Sequence, residues 1–222
     1  MNYWTYVLVI TLLAIIPQII VRNTYKKYSK IGTSNNKTGE RVVKEMLFNS
    51  GVMGVGVERI NGFLSDHYNS RSKKIRLCNE NFESSSIAGI AVAAHETGHA
   101  IQDDRGYFFL GLRRAMGPVT IVANKLSWIV LYLGFFLYFE PMILMGIALI
   151  SFVVLFDVVT LPVEINASKR AKRYLLSTGE YTSEEIEGVS KVLTAAAFTY
   201  LAATLAGVLQ VIRLIGVFNR RD

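Results

Sequence analysis

Cysteine is almost missing from this chain of 222 residues: Cys78 stands alone. One thiol cannot form an intramolecular disulfide framework, and without a CxxC pair there is no zinc ribbon. Histidine is nearly as scarce, with three residues. None follows His99, which excludes any HExxHxxGxxH site. Charge is thin as well. Only 18% of residues are charged, against roughly 25% in an average soluble domain, while 51% are hydrophobic. The formal charge of +7 raises the question of nucleic acid. The basic residues, however, cluster beside apolar blocks without interleaved aromatics, as charge flanking a membrane does, so no nucleic-acid partner is expected. There is no internal repeat and no low-complexity segment.

The apolar residues are concentrated in four blocks. The first, residues 3–21, carries no charge and is long enough to cross a ~30 Å hydrocarbon core. Met1-Asn2 supplies no basic n-region and RNTYKKYSK follows, so an uncleaved anchor over residues 1–22 is expected rather than a signal peptide. Tyr3, Trp4 and Tyr6 suit one interface and Arg22, Lys26, Lys27 and Lys30 the other, which directs the chain into the cytoplasm. The second and third blocks form a tract broken by Glu140-Pro141, read as a helical hairpin, 119–139 and 142–160, within residues 118–160. Lys125 can snorkel, and Asp157 needs an interface or a wet cavity. The fourth block, residues 192–218 of a 192–222 segment, has Ala196, Ala197, Ala203, Ala206 and Gly207 for close helix approach. Its crossing puts the basic end FNRRD on the far side, against the positive-inside rule.

Residues 23–117 read as a water-facing domain; residues 22–117 hold 15 of the 24 Lys and Arg. TGERVVKEMLFN is amphipathic, with Val42, Val43, Met46 and Leu47 on one face. VGVERI, FLSDHY and KKIRL read as strands, with NSRSK as a hairpin turn. Ser84–Ser86 cap a helix, IAGIAVAAHETGHAIQ, which Asp103-Asp104-Arg105-Gly106 ends. In a second polar segment, residues 161–191, Thr182 and Glu185 form a capping box for the last helix.

That capped helix carries His95-Glu96-Thr97-Gly98-His99, an HExxH pattern. Positions four apart lie one above the other, so both imidazoles can reach one ion. Glu96 is turned about 100° away, placed to take a proton from water without being a ligand. Chance yields this pattern in such a composition on the order of once in a thousand shuffles. Gly98 inside a helix costs about 1 kcal/mol relative to Ala, which makes sense where a neighbour packs close. A catalytic zinc needs a third protein ligand and an open position. His67, Asp103, Asp104 and Glu164 are the candidates. A carboxylate from a second helix is the expected geometry, and Glu164 follows a hairpin that returns to the side of His95 and His99. Pro162 is read as the first residue of that helix, which puts Glu164 in its first turn.

HExxH, an apolar hairpin, then Glu164-Ile165-Asn166-Ala167-Ser168-Lys169-Arg170-Ala171 resembles the membrane gluzincins, among them HtpX-like and CAAX-prenyl proteases. With GVERINGFLSDHYNSRSKKIRL, SIAGIAVAAHETGHAIQ, TLPVEINASKRA and TAAAFTYLAA, the chain is similar over nearly its whole length to the bacterial neutral zinc metallopeptidases of YugP type. The resemblance implies Zn2+ held by His95, His99 and Glu164, with Glu96 as general base. It also shows a departure. Ser168 stands where HtpX-like enzymes carry Asp, so orientation of a ligand histidine falls to Ser168, Asn166 or another group.

The expected fold is an α-helical integral membrane protein with a zincin-like α+β catalytic domain. It has about four transmembrane helices and a small β-hairpin or sheet before the HExxH helix. The expected protein is a multi-pass zinc endopeptidase of the cell membrane, its site facing the cytoplasm and its partners the bilayer and protein or peptide substrates. The strand with Asp66-His67-Tyr68 is placed to pair with extended substrate, and His67 or Tyr200 to stabilise an oxyanion. A metal-binding scaffold without turnover is disfavoured by the intact Glu96. A divalent-metal transporter is disfavoured because His95 and His99 lie outside every span.

Overall fold

A computed structural model describes residues 2–219. The tail arginines Arg220 and Arg221, which bear on the last crossing, lie outside the described residues. The elements are α1 (Tyr3–Tyr28), α2 (Gly39–Asn49), β1 (Gly56–Ile60), β2 (His67–Asn69), β3 (Lys74–Cys78), α3 (Asn79–Glu83), α4 (Ile87–Asp104), α5 (Phe108–Phe136), α6 (Glu140–Ser177) and α7 (Ser183–Phe218). Among the described residues four helices, α1, α5, α6 and α7, are long and apolar enough to cross a membrane.

The chain forms two compact units. The first takes residues up to Ile16, Phe108–Pro162 and the chain from Tyr200; the second takes Pro17–Tyr107 and Val163–Thr199. Of the three unit boundaries that fall within helices, two coincide with a proline, Pro17 in α1 and Pro162 in α6. Each proline lacks the N–H that would bond the carbonyl four residues earlier, at Leu13 and Val158, so the helical ladder is weakest there.

In the apolar unit Leu131, Ile143, Ile147 and Ile150 form a buried cluster backed by Trp128, Phe135, Val211 and Leu214. Small residues do permit close approach: a Cβ on Gly207 would meet Val154 at 2.7 Å. Asp157 lines a cavity of about 200 Å³ with Asn124, Ser127 and Gln210. The turn of the hairpin falls earlier than expected. It occupies Leu137–Phe139, with Tyr138 at φ 52°, and Pro141 is the second residue of α6. A first-turn N–H has no intrahelical partner, so proline there starts a helix and does not break one.

The second unit is layered. Val42, Val43, Met46 and Leu47 of α2 are buried as their spacing predicts, and Thr38 caps the helix by accepting from the Arg41 N–H. The sheet has the order β1-β3-β2, with β2 antiparallel and β1 parallel to β3. The β2–β3 hairpin matches expectation, but FLSDHY is extended only at its end. Gly62 at φ 118° and Leu64 at φ 52° turn the chain before His67. A linked set of buried and half-buried polar groups secures this corner. Tyr25 donates to Asn81, whose amide donates to Asp66, and Asp66 also accepts from the Cys78 N–H.

Helix α4 lies at the centre. Its residues from Ile87 to Gln102 are almost all buried, with Ser86 capping the Gly89 N–H at 3.1 Å. An apolar helix without a wet face belongs in a core, and α2, α3, β2 and β3 surround it. The Thr182–Glu185 capping box forms as read: the Thr182 N–H donates to Glu185 at 2.8 Å and the Glu185 N–H to Thr182 Oγ1 at 3.2 Å.

Candidate metal centre

Pro162 does not begin a helix. Helix α6 runs unbroken from Glu140 to Ser177, and Glu164 sits in its interior. Glu164 is therefore not in a first turn. The stretch after Pro162 packs against α4 so closely that a Cβ on Gly98 would lie 2.7 Å from the Ala167 carbonyl oxygen. Any side chain at position 98 would hold the helices apart. That contact brings the two histidines of α4 opposite Glu164, which is three residues from Ala167.

His95 Nε2 lies 3.2 Å and His99 Nε2 3.5 Å from Glu164 Oε2. The donor atoms of all three lie within 4.8 Å of one another. Tetrahedral zinc with bonds of ~2.0–2.1 Å separates its donors by about 3.4 Å, so two imidazoles and one carboxylate at these spacings fit the ion. The ring nitrogens that turn away are also held. His95 Nδ1 is 3.1 Å from Ser168 Oγ, and His99 Nδ1 is 3.0 Å from Gln102 Oε1. Both contacts leave Nε2 directed at the shared point, as ligand histidines require.

Gln102 is fully buried, and its amide nitrogen donates to the Val163 carbonyl at 2.8 Å and to Asn166 Oδ1 at 3.0 Å. It thereby ties a histidine of α4 to the turn of α6 that bears Glu164. The sequence reading named Ser168 and Asn166 but missed Gln102. Its position three residues after His99, on the same buried stripe, was the available signal.

Burial alone would push the Glu164 carboxyl up, but hydrogen bonds and charge from His95 and His99 outweigh it and hold the group well below the usual carboxylate range. Burial likewise opposes a charged His99, yet Glu164, Glu96 and Gln102 raise it above its ordinary value.

Glu96 is also buried, and the Tyr68 N–H donates to its Oε2 at 2.8 Å. An edge strand thus fixes the carboxylate beside the cluster, a long-range contact that periodicity cannot reveal. The remaining candidates lie elsewhere. Asp103 accepts from Tyr68 Oη at 2.8 Å and pairs with Lys73 at 2.7 Å. Asp104 lies 3.7 Å from Arg105. His67 is exposed, its Nδ1 2.9 Å from the Ser65 carbonyl and its Nε2 3.5 Å from Arg76, so it caps the turn before β2. Tyr200 lies in the apolar unit on α7.

Two histidines four apart on one helix, a glutamate from a second helix and a buried glutamate beside them have the donor types and spacing that zinc hydrolases use. Comparison with known proteins agrees. Residues 3–219 match the family described as "Putative neutral zinc metallopeptidase". The "Putative membrane protease YugP" of Bacillus subtilis (strain 168) is 39% identical over 206 residues, which cover 92% of this chain and 92% of that protein. No solved structure matches. The chain belongs to the neutral zinc metallopeptidase family.

Proposed function

We propose that the protein is a membrane-embedded zinc endopeptidase in which His95, His99 and Glu164 hold the metal and Glu96 is the general base. The convergence of three donor atoms within 4.8 Å, from two helices distant in sequence, carries this reading. Zinc bound there supplies a Lewis acid that polarises a carbonyl and lowers the pKa of water to about 7. Glu96, held by the Tyr68 N–H, takes a proton from the attacking water and passes it to the departing amine. β2 is an edge of its sheet, the kind of strand beside which an extended peptide lies. Because Tyr68 turns its N–H toward Glu96, a peptide paired along that edge passes the base. Four apolar helices and the basic residues after the first span support a multi-pass protein of the cell membrane whose site faces the cytoplasm. Substrates reached from there are misfolded or membrane-associated proteins, a role in membrane protein quality control.

The test is zinc content together with cleavage of an unfolded casein substrate by the purified chain. Glu96→Gln is expected to keep zinc and lose activity by at least about a hundredfold, whereas Glu164→Ala loses zinc itself. Full activity in Glu96→Gln would falsify the assignment of the base. Zinc bound without hydrolysis of any peptide would favour the scaffold.

A further inference from the structure

The part of α1 after Pro17 and the first half of α7 line a groove of about 780 Å³, inside the ~300–1,000 Å³ range of small-molecule sites. The lining changes character along its length. On α1 it passes from Ile20 to Asn23 and then Lys27; on α7 it passes, against the chain direction, from Phe198 through Thr194 to Lys191. The apolar blocks give way to polar sequence at Val21–Arg22 on one helix and at Lys191–Val192 on the other. The groove straddles both changes.

Its polar end is rich in ammonium groups. Lys27 is exposed and lies 5.4 Å from the Tyr28 ring centroid; among the described residues it pairs with no carboxylate. Lys191 pairs with Glu187 at 2.5 Å, and Lys172 of α6 donates to Ser190 Oγ at 3.1 Å. Two lysines against one glutamate in the lining leave this end positive, and Lys172, outside the lining, adds to it through Ser190. At the other end Ile20 and Phe198 remain 39% and 38% exposed. A free anion would satisfy the lysines and leave those side chains uncovered. An amphiphile satisfies both ends at once.

We infer that this groove binds an anionic phospholipid, its phosphate between Lys27 and Lys191 and an acyl chain along Ile20 and Phe198. Basic pockets beside spanning helices on the cytoplasmic side recognise such headgroups. The inference rests on the membrane reading above and is independent of the hydrolytic chemistry.

Native mass spectrometry of the full chain in detergent tests it, with phosphatidylglycerol, phosphatidylcholine and inorganic phosphate as separate probes. Phosphatidylglycerol is expected to be retained in preference to phosphatidylcholine. Lys27→Gln/Lys191→Gln, both at exposed positions, should weaken phosphatidylglycerol roughly tenfold and leave phosphatidylcholine unchanged. Thr194→Trp, which fills the groove without altering charge, should weaken both lipids. Unchanged zinc content and melting temperature show that the variants fold. Equal retention of the two lipids, or indifference to the double substitution, overturns the site. Loss of the preference in millimolar inorganic phosphate reassigns it to a free anion and overturns the lipid. Alkaline carbonate extraction separates the two readings. Release from vesicles defeats the membrane reading and the lipid site together, whereas retention with no preference for phosphatidylglycerol defeats the lipid site alone.

Discussion

Gln102 bonds His99 through its carbonyl and Val163 and Asn166 through its amide, so its two halves can be tested separately. Gln102→Leu removes both and is expected to lower zinc affinity about 10–100-fold and stability by about 1–3 kcal/mol. Gln102→Glu keeps an acceptor for His99 but loses the donor to Val163. It should recover most of the zinc affinity while the melting temperature stays low. Equal affinity in all three proteins, read by competition with a chelating dye, would rule out the orienting role. Ser168→Ala strips His95 of its partner and should cost about tenfold in affinity. Cys78 reports on the fold. Burial, with the nearby Asp66 charge adding to it, pushes its thiol up to about 12, and the side chain is fully buried. The thiolate is the reactive form, so in the native protein alkylation should stay slow through pH 9 and become fast only in denaturant. Rapid native labelling would contradict the burial.

Between elements, the controlling contact is that of α4 with the stretch of α6 after Pro162. Replacing a helix-interior glycine by alanine in open space stabilises by about 1 kcal/mol. At Gly98 the new methyl meets the Ala167 carbonyl oxygen at 2.7 Å. Overpacking of that kind typically costs about 1–3 kcal/mol, so the clash wins and Gly98→Ala should be destabilising. Separation of the helices also pulls Glu164 from the histidines, so zinc content should fall with it. A stabilised, zinc-replete variant would mean that the helices are not pressed together. Periodicity, caps and the capping box of this region were legible because each rests on residues within one or two turns. The start assigned at Pro162 was not. A proline can open a helix or sit within one, and only the packing partners distinguish the two.

For the whole molecule, Arg22, Lys26, Lys27 and Lys30 after the first apolar block set the expected membrane orientation. Reporter fusions at Arg71, in the β2–β3 turn, and at Tyr138, between α5 and α6, should report opposite sides. The expected result is a cytoplasmic reporter active at Arg71 and an exported phosphatase active at Tyr138. The reverse pattern would move the proposed site to the outer face and leave its chemistry intact.

The sequence alone determined the four apolar blocks, the cap-to-cap extent of α4 and the placing of two imidazoles on one helical face, because these follow from local patterning and helical repeat. It also narrowed the third donor to a few carboxyl or imidazole groups. The tertiary structure decided which of them meets the pair, that β1 runs parallel to β3, that Gln102 and Tyr68 hold His99 and Glu96, and that α6 continues through its proline. Each of those depends on atoms tens of residues apart being brought into contact by burial, and no short-range pattern encodes such contacts.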